Sequence, residues 1–478
     1  MIPTEDYIRL LPEIVLTVFG VIVMLAEPLL GPRASRKPLG IVALAGTLAA
    51  LAATVLQADN QGLAFFSLVL VDDFSVFFHF VIELIAAVVI LASLEYLDTQ
   101  QIHAGEFYAL ILFGSVGMVL MSSAMELVLV FIALEISSIS TYILAGFRRR
   151  IAISSESSLK YFLLGSFATA FFLYGVALVF GATGSTSIID LGMVLRTGHH
   201  SALVFCAVAM MFVGLGFKIA AAPFHVWTPD VYEGAPAPVV ALMSTAPKAA
   251  VFAVMLRIFF MASVPGWFWL VWISSVLSMF IGNIGALVQS NVKRMLAYSS
   301  LAHAGYLLIA FAAAQGIGVS AAMFYTAAYA AMNVGAFAVV SHFAAAGERY
   351  VSIDDYAGLG RRHPVLAACL TIFLLSLIGI PVTGGFFAKF YVFSAALRSN
   401  LVGLTVLGVI NSAIAAYYYL RVIVVMYMRE PEQEEPLPPI SPTLGVALAV
   451  SVLATIYLGV LPGHVLEFAQ SGAAQLIK

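Results

Sequence analysis

The chain has 478 residues, of which 62% are hydrophobic and only 10% charged. Soluble globular domains carry about 25% charged residues, so this composition excludes a soluble enzyme and points to an integral membrane protein. A formal net charge of −3 excludes the strongly basic surface of a nucleic-acid binder.

Runs of about 20 apolar residues indicate helices rather than a barrel. The sequence predicts fourteen spans, at roughly 8–30, 38–58, 73–94, 106–123, 126–146, 156–181, 201–222, 237–261, 266–289, 294–314, 318–345, 364–395, 401–428 and 441–461. The leading MIPTEDYIRLLPE has no basic region before its apolar stretch, so no cleaved signal peptide is expected. Only the Ser122-Ser123 pair separates the fourth span from the fifth. The seventh run is interrupted at Pro223, just after Lys218, because proline lacks an amide donor and its ring strikes a preceding carbonyl. The twelfth run is interrupted at Gly379, Pro381, Gly384 and Gly385, beside Lys389.

Three connections are long. Residues 182–200 are polar and glycine-rich, and His199 and His200 there are expected to be solvated. Residues 346–363 mix charge with aromatics, as for a segment on the membrane surface or against a partner. Residues 429–442 are acidic and proline-rich, the composition of an exposed linker.

With the first connection in the cytoplasm, that side holds Arg33, Arg36, Lys37, Arg148, Arg149, Arg150, Lys293, Arg294, Arg349, Arg361, Arg362 and Arg429. The other side holds Arg9, Arg196 and Arg398. This positive-inside bias predicts an even number of spans with both termini outside. Two interrupted runs in corresponding halves point to inverted repeats. The predicted organisation is all-α and polytopic: an N-terminal three-helix segment (1–105), a first five-helix repeat (106–261), a second, inverted five-helix repeat (262–428), and a linker with a last helix (429–478).

Glu135, Lys218, Lys248 and Lys389 fall inside spans. Each centrally placed charge costs about 2.5–3.5 kcal/mol against lipid. Four together cost on the order of 10 kcal/mol, comparable to a whole domain's net stability. They must therefore face the interior, pair, or lose their charge. A buried ammonium sheds its proton more readily unless an opposite charge holds it, so a Glu–Lys pair that forms and breaks is a proton switch. The plain alternative for Lys218 is snorkelling, and for Glu135 a static hydrogen-bonded carboxyl. Glu83 is also mid-span, without a recognisable partner. Lys160, Arg257 and Arg421 lie nearer span ends, and Asp72, Asp73 and Asp230 read as caps or interface residues. His225 lies in the break after Pro223, and His303 lies with Ser299, Ser300 and Tyr306 in YSSLAHAGYLL. Either imidazole is a candidate proton relay, with a satisfied core histidine as the alternative. Cys206 and Cys369 stand far apart, and no GxGxxG or P-loop occurs. No nucleotide, flavin or iron–sulfur centre is expected in this chain. Titratable groups strung through separate spans suit ion conduction better than bond chemistry.

Four segments carry a family resemblance: FKIAAAPFHVWTPDVYEGAPAPV (217–239), STAPKAAVF (244–252), NVKRMLAYSSLAHAGYLL (291–308) and GIPVTGGFFAKFYVF (379–393). Over essentially its whole length the chain resembles the antiporter-like membrane subunits of respiratory complex I, of the N type. The resemblance implies fourteen helices, two inverted repeats and a proton path along the membrane midplane. It also implies roles for Glu135, Lys218 and Lys248, with Lys389 as the distal lysine and His303 in the matching YSS motif. Where the sister subunits place a histidine in the eleventh helix, this chain has Tyr329, near Asn333. The implied setting is the bacterial inner membrane, with both termini periplasmic. The implied partners are K- and M-type membrane subunits, and the flavin and iron–sulfur clusters are implied to reside in other subunits of the NADH:quinone oxidoreductase. The competing readings are a subunit of a multi-subunit sodium/proton antiporter and a non-conducting membrane spacer.

Overall fold

The structure is a computed structural model and describes residues 3–31, 34–196, 202–261, 267–313, 317–344, 347–431 and 438–477. Arg33, His199 and His200 lie outside the described residues. The helices are α1 (Thr4–Arg9), α2 (Leu11–Ala26), α3 (Lys37–Ala58), α4 (Asp73–Thr99), α5 (Glu106–Ser123), α6 (Leu127–Ala145), α7 (Ala152–Thr183), α8 (Ile188–Arg196), α9 (Ala202–Lys218), α10 (Thr228–Gly234), α11 (Ala237–Met243), α12 (Ala246–Leu256), α13 (Trp267–Leu287), α14 (Val292–Ala312), α15 (Ile317–Phe343), α16 (Leu359–Arg362), α17 (Pro364–Ile378), α18 (Gly384–Arg398), α19 (Val402–Met428), α20 (Pro442–Val460) and α21 (Gly463–Ile477). A small antiparallel hairpin, β1 (Gly62–Ala64) and β2 (Val69–Val71), precedes α4.

Among the described residues, twelve helices are long and apolar enough to cross a membrane, or thirteen if the bent pair entering α17 counts as one span. The fold is therefore polytopic and all-helical in its membrane part. The two runs predicted to be interrupted are the ones that fall short. One is α9, with 17 residues; the other is split into α17 and α18, with 15 residues each. The predicted loop 182–200 holds α8, and a helix the sequence reading did not anticipate, α21, follows α20.

Local chemistry sets the helix ends. Asp72 caps α4 by accepting from the Ser75 amide, and Ser75 returns the bond. Asn291 caps α14 through the amides of Lys293 and Arg294. Proline opens α10, α11, α12, α17 and α20, where its missing amide hydrogen costs nothing. The bundle is layered around its most buried helices, α4, α11, α12, α14 and α15, while α2, α7 and α19 expose much of their length. A helix apolar on all sides belongs in such a core.

The segment after α15, expected on the membrane surface or against a partner, packs in part into the chain itself. It folds back, and Val351 and Ser290 bond to the start of α14 and to Ile353. Glu348 is driven into the protein, its side chain only 3% exposed. Its carboxylate accepts from Tyr96 at 2.7 Å, Arg148 at 2.9 Å, Lys293 at 2.7 Å and the Ala237 amide at 2.8 Å. One carboxylate thus ties α4, the α6–α7 connection, the start of α11 and the start of α14. Burial pushes the Glu348 carboxyl up, but Lys293 and Arg148 together hold it below its ordinary value. A carboxyl depressed on folding contributes stability above its unfolded-state pKa and loses that contribution as pH falls through the folded one. Glu348→Gln leaves two buried cations without a counter-charge and is expected to destabilise the chain by about 3 kcal/mol. In thermal unfolding of the detergent-solubilised chain, the gap between wild type and variant is expected to narrow as pH drops below the carboxylate range.

Candidate functional site

The first buried lysine stands at a helix end. Pro223 excludes a helix running through it, because its ring would collide with the carbonyl four residues back, at Ile219. The helix α9 ends earlier, at Lys218, and Ala220 already lies in the left-handed region at φ +57°. The backbone freed by the break finds partners elsewhere. The Ala222 amide donates to Ser278, the Ser274 hydroxyl donates to the Ala222 carbonyl at 2.6 Å, and Trp227 Nε1 donates to the Phe217 carbonyl at 3.1 Å. Lys218 is 2% exposed, so it does not snorkel. Its Nζ lies 4.8 Å from the Tyr142 ring centre, 5.1 Å from that of Tyr161, and 3.4 Å from the Tyr161 hydroxyl. Trp227 stacks on Tyr161 at 4.5 Å and fixes its plane. Such desolvated cation–π contacts are worth about 2 kcal/mol.

No ion pair joins Glu135 to Lys218 among the described residues. Glu135 lies on α6 seven residues before Tyr142, so the two share a face about 10 Å apart along the axis. One Glu135 oxygen is buried without a protein partner, as are the hydroxyls of Tyr142 and Tyr232 and the Asn333 carbonyl oxygen. Buried polar atoms are almost always hydrogen-bonded, to protein or to ordered water.

The second lysine also follows a break. The eighth predicted span is divided at Ser244 and Thr245, and Pro247 opens α12 one residue before Lys248. Lys248 is 3% exposed. Its ammonium donates to the Ser300 hydroxyl at 2.7 Å and the Ser300 carbonyl at 3.1 Å. Tyr329 donates to the same hydroxyl at 2.8 Å. Asn333, one turn further along α15, donates to Ser244 in the break.

His303 lies beyond Tyr329, with ring centres 5.0 Å apart. Its Nδ1 faces the Tyr325 hydroxyl at 2.7 Å, and its Nε2 faces the Tyr419 hydroxyl at 3.3 Å. Tyr419 in turn meets the Ser299 hydroxyl. A neutral imidazole donates through one nitrogen and accepts through the other, so a proton can enter one side as another leaves the opposite side. Tyr306 packs on the His303 ring at 5.7 Å and receives a hydrogen bond from Asn283. Asn283 also donates to the Asn411 side chain and accepts from Tyr418.

The third lysine is held by the second broken helix. Lys389, on α18 and 6% exposed, donates to the carbonyls of Leu377 at 3.0 Å and Ile378 at 2.8 Å and to Ser412 at 2.9 Å. Those carbonyls form the last turn of α17, the negative end of its dipole. Gly379 makes the turn with φ +95°. Gly385 lets the backbones close, since a Cβ there would lie 1.8 Å from the Ser376 carbonyl oxygen. Lys389 Nζ also sits 4.9 Å over the Tyr306 ring.

The structure therefore places Lys218, Lys248, His303 and Lys389 in the interior, and links the last three through Ser300, Tyr329 and Tyr306. Half-buried His225 stays outside this row, its Nδ1 without a protein partner. Glu83 has a partner the sequence did not reveal, the Thr54 hydroxyl at 2.9 Å. Arg257 is fully buried on Asp72, also the α4 cap, so it is a structural ion pair rather than a snorkelled side chain. Sequence reading missed Tyr142, Tyr161, Tyr325, Tyr419 and the Asn283–Asn411 pair. Their only signal was polarity inside apolar runs, which is weak for tyrosine. Among the described residues, no group of three or more His, Cys, Asp or Glu side chains is arranged to hold a metal ion.

The fold and the site define a polytopic helical membrane protein with lysines buried at helix breaks. Residues 124–415 match the family described as NADH:quinone oxidoreductase/Mrp antiporter, TM. Over 100% of this chain and 99% of the relative, the sequence is 64% identical to "NADH-quinone oxidoreductase subunit N 2" of Koribacter versatilis. A chain of respiratory complex I from Thermus thermophilus superposes with a TM-score of 0.82 at 36% identity, covering 95% of this chain and 98% of that one. A chain of the membrane-bound sulfane sulfur reductase, an archaeal respiratory complex, gives 0.88 at 25% identity and 98% coverage of both. The chain belongs to the NADH-quinone oxidoreductase subunit N family.

Gly379→Ala puts a side chain into the left-handed region and a Cβ 3.1 Å from the Lys389 Cδ. A loss of about 1–2 kcal/mol is expected, read as a lower unfolding temperature. Gly403→Ala, whose Cβ would meet open space inside α19, is the control and is expected to leave it unchanged or slightly higher.

Proposed function

We propose that this chain is a proton-translocating membrane-arm subunit of an NADH:quinone oxidoreductase. Its K- and M-type neighbours flank it in a bacterial plasma membrane, and both termini face the periplasm. The flavin and iron–sulfur clusters that handle electrons reside in other subunits, and this chain contributes the proton path. The observation that carries the reading is the set of three lysines, each at most 6% exposed and each placed at a break in a helix. Lys248 and Lys389 are joined through hydroxyls and one imidazole, and Lys218 lies against two tyrosines, with no fixed carboxylate on any of the three among the described residues. Static ion pairs would serve a scaffold; groups that both donate and accept serve transfer.

In this mechanism Lys218 is the gate. The arrangement described here is its unpaired form, with the ammonium over two tyrosine rings and Glu135 apart from it. Drawing Glu135 and Lys218 together favours the charged lysine, and separating them favours proton release. Water joins Lys218 to Lys248 across the unpartnered oxygens of Tyr232 and Asn333. Lys248 hands its proton to Ser300. Tyr329 and His303 carry it on toward Lys389, taking the place of a direct imidazole link. Lys389 then delivers it to the neighbouring subunit or the exit. The two broken helices, α9 and α17–α18, belong to inverted repeats spanning 106–261 and 262–428. Residues 1–105 form a three-helix flank and 429–478 a linker and last helix.

Lys218→Ala or Lys248→Ala is expected to lower NADH:quinone turnover and coupled pumping at least tenfold while the complex still assembles. Wild-type proton-to-electron ratios in both variants would refute the path. Sodium-dependent exchange by the purified assembly, without flavin or iron–sulfur absorbance, would assign it to an antiporter instead. Tyr329→Phe removes one hydrogen bond worth about 1 kcal/mol. It is expected to slow pumping severalfold with little change in thermal stability.

A further inference from the structure

The bundle end where Arg148 and Lys293 meet Glu348 carries a second feature that the proton path does not use. The α4–α5 connection and the α6–α7 connection enclose a cleft of about 710 Å³. Its lining includes Arg148, Arg149, Arg150 and His103. Arg148 is committed to Glu348 and to the Gly234 carbonyl. Arg149 and Arg150 are exposed, and neither side chain makes an ion pair or hydrogen bond to any described residue. The single carboxylate among the described lining residues is Glu106, in the first turn of α5, where the helix dipole already accommodates it.

The lining is apolar in part, through Leu110 and Ile143. Ile143 ends a stripe of exposed residues on α6, with Val128, Ile132 and Ile139. Spacings of four, seven and four put all of them on one helix face. The stripe runs about 22 Å, enough to span one leaflet of a hydrocarbon core about 30 Å thick. Two free guanidiniums thus sit at the polar end of an apolar track. Paired guanidiniums recognise phosphate through bidentate hydrogen bonds.

We propose that this cleft binds one anionic phospholipid, its phosphate on Arg149 and Arg150 and an acyl chain along the α6 stripe. A soluble phosphate compound would have no use for the track, and a zwitterionic lipid would bring a cation to an already positive site. Basic pockets between helices on the cytoplasmic side are suited to anionic headgroups.

The test uses the full chain in detergent, stripped of lipid, with phosphatidylglycerol or phosphatidylcholine added and bound lipid counted by native mass spectrometry. Wild type is expected to retain one phosphatidylglycerol at concentrations where phosphatidylcholine is lost. Arg149→Gln/Arg150→Gln is expected to weaken that retention at least tenfold, whereas Arg149→Lys/Arg150→Lys, which keeps the charge, weakens it only a few-fold. Because both residues are exposed, the variants are expected to unfold at the wild-type temperature without lipid. A rise in unfolding temperature on adding phosphatidylglycerol is expected for wild type and not for the glutamine variant. Equal retention of both lipids, equal retention by wild type and the glutamine variant, or displacement by millimolar inorganic phosphate would each overturn the proposal. Such a result would leave the cleft to a protein neighbour or to topology alone.

Discussion

A positive charge inside a bilayer needs a negative partner, and for Lys389 this fold supplies it from broken backbone. Where a helix stops in mid-membrane, its last carbonyls lose their partners and the end of the helix becomes electronegative. Lys389 is bound by two such carbonyls of α17. Lys218 is itself the last residue of α9. Neither lysine leans on a fixed carboxylate, which would hold its proton tightly. A carbonyl end steadies an ammonium while leaving the neutral amine affordable, and that balance suits a group that must cycle.

The space between the lysines is filled with tyrosine and serine rather than with charge. Tyr142 and Tyr161 flank Lys218; Ser300 and Tyr329 connect Lys248 toward His303; Tyr306 lies under Lys389. Hydroxyls can be buried for far less than ions and can reverse their hydrogen bonds by rotating. Tyrosine adds a ring face that attracts an ammonium. Groups of this kind can fill an apolar core without the ion penalty at every position.

Permanent charges are kept apart from that path. Glu348 with Arg148 and Lys293, Arg257 with Asp72, and Arg294 with Asp230 and Glu233 all lie at helix ends and connections. These fully paired clusters fix the bundle's ends. The middle instead holds Lys248, His303 and Lys389 among tyrosine and serine hydroxyls.

The polytopic helical class was legible in the chain, because a bilayer demands about 20 apolar residues per helix and penalises every buried charge; of the fourteen predicted spans, twelve or thirteen are long and apolar enough among the described residues. The lysines stood out against that background, as did Pro223 and the glycines near 379–385. Tertiary structure alone decided what each lysine touches. Lys248 and Ser300 lie 52 residues apart, and Glu348 and Tyr96 252 apart. No local pattern encodes such pairs. Ser299, Ser300 and Tyr306 stood beside His303 in its own segment, but tyrosines look like ordinary core in a hydropathy pattern, so Tyr325 and Tyr419 joined them only once the helices were packed together. Nothing in the 346–363 segment marked Glu348 for the same reason: burial belongs to the assembled bundle and not to the segment.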